Sequence, residues 1–209
     1  MVYCPVLWKS QRYTYRESFT MLFAWVVVLF IIEAIDQLLF HNNLFVFGVV
    51  RGDFEHWYRI FFAPFLHEDF LHVASNSAGL LVLGSIVLLL GADVLATVTF
   101  AAIVISGFGL LFFGSEGVHS GASSVVYGYF GFLVVRGLYE RSWKALALSG
   151  GTLILFQSLL SGMLPGVPGL SWQGHVLGAL GGVVAASTLA RERRKGELAF
   201  AGIHRPDHS

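Results

Sequence analysis

The chain has 209 residues, of which 56% are hydrophobic and only 12% charged, against roughly 25% charged in an average soluble domain. Thirteen basic side chains balance thirteen acidic ones, and the mean hydropathy is +0.71. These values exclude a disordered chain and a nucleic-acid binder working through net charge, and so few charges could not cover a soluble globule; the single cysteine, Cys4, excludes an internal disulfide.

The apolar residues fall into six blocks, at 19–39, 71–90, 94–113, 122–135, 145–164 and 171–190. A helix needs about 20 mostly apolar residues to cross a hydrocarbon core of roughly 30 Å, so each block is a candidate membrane helix. The first follows a polar and aromatic tail, 1–18. It is too long for the apolar core of a signal peptide, and no small-residue cleavage site follows it. Glu33 and Asp36, three apart near its end, read as a solvated helix end. The stretch 40–70 is the longest soluble segment and holds Trp57, Tyr58 and Arg59. Its length marks a functional or partly structured loop, and its aromatics read equally well as an interfacial belt.

His67, His72 and Asn76 stand at the entry of the second block. His72 and Asn76 are four apart and share a helix face; they read either as interhelical polar glue or as a pair of hydrogen-bond donors. The third block follows the turn 91–93 and carries no charge after Asp93. The short fourth block opens with Ser-Gly-Ala-Ser-Ser at 120–124. Small residues here leave the first backbone N–H groups of a helix free, at the positive end of its dipole, where an anion is stabilised. The plainer reading is a helix cap with small residues for close packing. The lipase elbow Gly-x-Ser-x-Gly fails because residue 125 is valine, and His119, just before the turn, reads as exposed loop. The sixth block opens with Trp-Gln-Gly-His at 172–175. Gly174, Gly178 and Gly182 recur every four residues, a smooth stripe that admits a neighbouring helix closely, and His175 lies beside it, as packing residue or catalyst.

Lysine and arginine set the orientation. With six crossings, eleven of the thirteen basic residues fall on one side: Lys9, Arg12 and Arg16, then Arg136, Arg141 and Lys144, then Arg191, Arg193, Arg194, Lys195 and Arg205. Only Arg51 and Arg59, in the long loop, fall on the other. The expectation is an all-α membrane protein: a six-transmembrane-helix bundle at 19–190, a long external first loop, and cytoplasmic tails at 1–18 and 191–209. The short tails and the lack of targeting signals point to a bacterial plasma membrane. No cofactor is expected. A metal site is not expected either, because His72 comes one residue too late after His67-Glu68 to complete His-Glu-x-x-His.

The three polar clusters together supply a nucleophile, a base and oxyanion donors on the outer side of the membrane, which is what a serine hydrolase needs. At this point the residues resemble the rhomboid intramembrane serine proteases. The resemblance spans about residues 57–182 and rests on FLHEDFLHVASN at 65–76, GASSVVYG at 121–128 and GHVLG at 174–178. It implies a six-helix rhomboid-like bundle in the lipid bilayer that cleaves transmembrane protein substrates near the outer membrane boundary. By the same resemblance, Ser123 would be the nucleophile and His175 its general base, a dyad with no aspartate. Tyr127 would stack on His175; His72, Asn76 and the Ser123 N–H would line the oxyanion hole. His67 would support His72, Gly121 would form the serine turn, and Gly178 would let the last helix pack on the fourth. Arg59 would belong to the first loop, the region of Phe156 and Gln157 to a lateral gate, and 163–170 to a mobile cap. Ser124 stands where the family has glycine and is expected to crowd the turn or to offer His175 a rival hydrogen bond. The alternative from another class is a non-catalytic rhomboid-like protein that binds transmembrane clients without cutting them.

Overall fold

The computed structural model describes residues 14–166 and 169–203. Lys9, Arg12, Arg205, Cys4 and two residues of the expected cap lie outside them. The described chain is mostly helical: α1 (Tyr15–Ile35), α2 (Phe70–Leu88), α3 (Ala92–Phe113), α4 (Ser123–Glu140), α5 (Trp143–Leu155), the single-turn α6 (Ser158–Ser161) and α7 (Trp172–Ile203). A helix occupies each of the six apolar blocks. Three stretches, Tyr15–Phe40, Phe70–Leu88 and Ala92–Phe113, are long and apolar enough to cross a membrane.

Local chemistry starts these helices. Thr14 and Glu17 form a reciprocal capping box, so α1 begins four residues before its apolar block. Asp69 accepts the His72 N–H at the start of α2, and Ser142 accepts the Ala145 N–H at the start of α5. Other boundaries also differ from the sequence reading, two of them markedly. The fifth block breaks at Phe156–Gln157 into α5 and α6. The sixth helix runs past 190, because the apolar run stops there but the helix formers do not: the segment to Ile203 is rich in Ala, Leu, Glu, Lys and Arg.

The carboxylates at the end of α1 correct the expectation of a solvated end, since both Glu33 and Asp36 are buried. The helix ends in a wider π turn, Asp36–Phe40. The chain then folds back so that Asp36 accepts the N–H groups of Asn43 and Leu44 at 2.9–3.1 Å, while Glu33 accepts from Gln37. Loop formation, not solvent, uses these charges.

Helix α4 is the centre of the bundle. From Val125 to Leu133 every residue is buried, including Tyr129, whose hydroxyl meets Thr99 of α3 at 2.7 Å. Its glycines allow this: a Cβ at Gly131 or Gly182 would collide with the facing backbone of α7 or α4. The outer helices instead expose large apolar side chains, among them Phe23, Leu39, Phe100, Phe113 and Leu155. A surface of this kind belongs in lipid, and the protein is an integral membrane protein.

The loop between α1 and α2 is partly structured. Its strand β1 (Val49–Val50) pairs antiparallel with β2 (Val118–His119), in the loop before α4. Trp57 stacks on Phe108 of α3. The loop is thereby tied to the segment that carries Ser123.

Candidate active site

Ser123 is the first residue of α4, and three contacts hold the turn before it. His119 pairs with Val49 across the strands. Gly121, at φ +105°, a conformation open to glycine, gives its N–H to the Ala63 carbonyl at 2.9 Å. Ala122 gives its N–H to His67 Nε2 at 3.3 Å. Ala122 has no side-chain acceptor, so the first N–H groups of α4 keep the polarity of an uncapped helix N-terminus.

His175 reaches Ser123 from α7. Its Nε2 lies 3.0 Å from Ser123 Oγ, and its Nδ1 lies 2.7 Å from the Gly162 carbonyl oxygen. The Tyr127 ring, one turn along α4, stacks on the imidazole at 4.0 Å between centroids and 12° between planes. A carbonyl oxygen can only accept, so Nδ1 carries the ring proton and Nε2 presents a lone pair to the serine hydroxyl. Close approach of the two helices makes this possible: at Gly178 a Cβ would press on the Ser124 backbone.

On the opposite side, α2 brings His72 and Asn76 to the same turn. A Cβ at Gly121 would lie 2.9 Å from His72 Nε2 and 3.2 Å from Asn76 Nδ2. Asn76 is buried and its Nδ2 has no hydrogen-bond partner, an orphan donor facing the start of α4. His67 packs edge-on against His72 at 5.1 Å, and burial, with His72 beside it, pushes its imidazole down to about 4. It is therefore neutral at physiological pH, as its role of acceptor from Ala122 requires.

The structure thus gathers Ser123, His175, Tyr127, His72, Asn76, His67, Gly121 and Gly178 at one end of the bundle. Arg59 is not among them: it pairs with Asp53 at 3.4 Å and lies over the Phe47 ring, so its work is within the loop. The Asp53 carboxyl is held below its usual range by a hydrogen bond from His56. His119 corrects the expectation of exposed loop, being buried with Nδ1 at 2.7 Å from Ser171 Oγ. Ser124 does not compete for His175, whose two nitrogens are engaged elsewhere; with Ser106, Ser120 and Ser171 it lines a cavity of mixed polar and apolar walls of about 20 Å³, room for about one water. The Gly162 carbonyl is the contact that sequence reasoning missed. Its only trace is the glycine itself, where a Cβ would collide with the Tyr127 hydroxyl. Among the described residues, no group of three or more His, Cys, Asp or Glu side chains could hold a metal ion.

The sequence is similar to known proteins over most of its length. A family model described as the Rhomboid domain matches residues 55–192. An uncharacterized protein of Mycobacterium tuberculosis is 33% identical over 200 residues, covering 91% of this chain and 83% of the relative. An uncharacterized protein of Mycobacterium leprae is 32% identical over 220 residues, covering 98% and 84%.

Proposed function

The chain belongs to the rhomboid family, and on that premise we propose that it is an intramembrane serine endopeptidase, with Ser123 as nucleophile and His175 as general base. The observation that carries this reading is the 3.0 Å contact between Ser123 Oγ and an imidazole whose tautomer is set by Gly162. Nε2 takes the hydroxyl proton as Oγ attacks the scissile carbonyl carbon. The oxyanion that forms is met by the Ser123 N–H, His72 and the orphan amide of Asn76. The imidazolium then passes its proton to the leaving amine, and an acyl-enzyme remains. Water, deprotonated by the same nitrogen, cleaves the ester and restores Ser123. The small cavity beside Ser123 and Ser124, with serine side chains and His119 among its walls, offers such a water a place in an otherwise apolar bundle.

The substrates on this reading are transmembrane proteins, cut near the outer membrane boundary. Six crossings put both termini in the cytoplasm and the loop between α1 and α2 outside; the helices in all six blocks and the one-sided distribution of lysine and arginine support this. The protease domain is 19–190, flanked by cytoplasmic tails at 1–18 and 191–209. The mycobacterial relatives agree with a bacterial plasma membrane. The break between α5 and α6 at Phe156–Gln157 suits a lateral gate, and the cap is assigned to 163–170 by the family resemblance.

The test is labelling of the purified wild type, Ser123→Ala and His175→Ala by a fluorophosphonate probe in detergent, alongside cleavage of a model transmembrane substrate. Label and cleavage on the wild type alone are expected. A well-folded wild type that takes no label would favour the non-cleaving alternative, and a Ser123→Ala variant that still cuts would exclude the dyad.

A further inference from the structure

A second histidine–serine pair joins the two segments that carry the dyad. His119 Nδ1 lies 2.7 Å from Ser171 Oγ. His119 precedes Ser123 by four residues and Ser171 precedes His175 by four, so the pair repeats the Ser123–His175 contact with its partners exchanged. His119 Nε2 lies 3.1 Å from the Ser115 carbonyl oxygen. That oxygen only accepts, so Nε2 carries the ring proton and Nδ1 accepts from the Ser171 hydroxyl. Burial holds the His119 imidazole below the usual histidine range and so keeps it uncharged and able to accept. Two glycines make room for the pair. A Cβ at Gly114 would lie 2.8 Å from His119 Nε2, and a Cβ at Gly174 would lie 2.9 Å from Ser171 Oγ. Beyond the pair, His119 is tied to Val49 of β1, and the Ser171 carbonyl accepts the His175 N–H at 3.1 Å.

We propose that His119 and Ser171 are positioning residues, a joint that holds the first turn of α7 against the loop before α4 and so keeps His175 within reach of Ser123. Helix ends fray, and His175 lies in the first turn of its helix. Close packing at Gly178 fixes α7 on the C-terminal side of His175. The joint fixes it on the N-terminal side, so the imidazole sits between anchors at 171 and 178. The effect on catalysis rests on the protease reading, whereas the joint itself rests on geometry alone.

The test compares wild type, Ser171→Ala, His119→Gln and His119→Asn in the full chain in detergent. Asparagine carries an amide oxygen close to the place of Nδ1 and can still accept from Ser171; glutamine reaches the place of Nε2 instead. Ser171→Ala and His119→Gln should label with fluorophosphonate about tenfold more slowly, from the roughly 10²-fold cost of a 1 Å displacement and a release of about half that. His119→Asn should recover most of the rate. On a model transmembrane substrate, kcat should fall and KM should hold. The nitrogen NMR spectrum of labelled histidines needs no activity. In Ser171→Ala the His175 Nε2 signal should move toward its position in Ser123→Ala, where the hydrogen bond to the serine is gone. Unchanged labelling with a lowered melting temperature would make the pair merely structural, and a change in KM alone would place its effect on the cap. Either result, or a His175 signal unmoved in Ser171→Ala, would overturn the proposal. A wild type that takes no label overturns the protease reading instead, and the spectrum still decides the joint.

Discussion

Gly178→Ala tests the packing that creates the dyad. A methyl at this position would lie 2.8 Å from the Ser124 carbonyl carbon and 2.9 Å from its Cα, and closer still to the carbonyl oxygen. Carbon atoms rest at about 3.5–4.0 Å, and no rotamer can relieve a clash with backbone, so α7 must withdraw from α4 by roughly 1 Å. His175 lies three residues earlier on the same helix and moves with it. Its 3.0 Å contact with Ser123 is then stretched beyond hydrogen-bond range. A displacement of about 1 Å costs on the order of 10²-fold in rate, while overpacking costs about 1–3 kcal/mol of stability. The assay is the second-order rate of fluorophosphonate labelling, read with the melting temperature. Gly150→Ala is the control, because a Cβ there meets nothing within 4 Å, and alanine favours the helix. It should label at the wild-type rate and melt no lower. A Gly178→Ala protein that labels as fast as wild type would refute the argument that this glycine sets the dyad distance.

Gly162→Ala should slow labelling by at least tenfold with little change in substrate affinity. Its methyl collides with the Tyr127 hydroxyl and reaches within 3.4 Å of His175 Nδ1, and the added variant Tyr127→Phe, which removes that hydroxyl, should restore part of the rate. Asn76→Ala should lower turnover by about 10²–10³-fold while the melting temperature holds, because the lost Nδ2 has no partner in the resting protein; a parallel loss of stability would make Asn76 structural instead. His67 carries a pH signature. Its imidazole titrates at about 4 in the fold and at about 6.5 when unfolded. Between those values the unfolded state binds more protons, so stability is full above about pH 6.5 and falls as pH drops, by up to about 1.4 kcal/mol per unit. Thermal melts from about pH 7 to pH 4.5 should show a shallower slope in His67→Gln than in wild type; equal slopes would exclude His67 as the source.

The polar residues that meet at Ser123 stand out in the sequence because polar chemistry at the end of an apolar helix contrasts with lipid-compatible residues. His72, Asn76, Ser123 and His175 were candidates by residue type, and their grouping came from the resemblance of their motifs to those of the rhomboid family. The helices were legible for the same reason, as runs of apolar residues, but which face looks inward was not. Lipid and protein core are both apolar, so apolar periodicity does not distinguish them. Small residues do, and Gly178 and Gly182 marked the contact with α4 correctly. Three features escaped. Gly162 acts through its backbone carbonyl, which carries no side-chain signature. Glu33 and Asp36 looked like a solvated helix end because the return of the loop over the π turn depends on backbone partners at 43 and 44. His119 is held inside by the pairing of two strands of two residues each, too short to show any alternation, and by Ser171.

The use of a carbonyl rather than a carboxylate behind His175 follows from where the site lies. A third ionised residue at Nδ1 would stabilise the imidazolium, but within a membrane bundle an ionised side chain is expensive and needs further donors to satisfy its remaining oxygens. The Gly162 carbonyl fixes the same tautomer with a dipole that the chain already has. What it lacks in charge, the Tyr127 ring supplies in part: stacked at 4.0 Å, it offers its electron-rich face to the cation that, on the proposed mechanism, forms when Nε2 takes the serine proton. The two groups divide the task, since the carbonyl fixes the proton and the ring plane fixes the angle. On this account Tyr127→Phe should retain most of the activity and Tyr127→Leu should not. Leucine can fill much of the space but offers the imidazolium no aromatic face, and a leucine variant with wild-type labelling rate would reduce Tyr127 to packing.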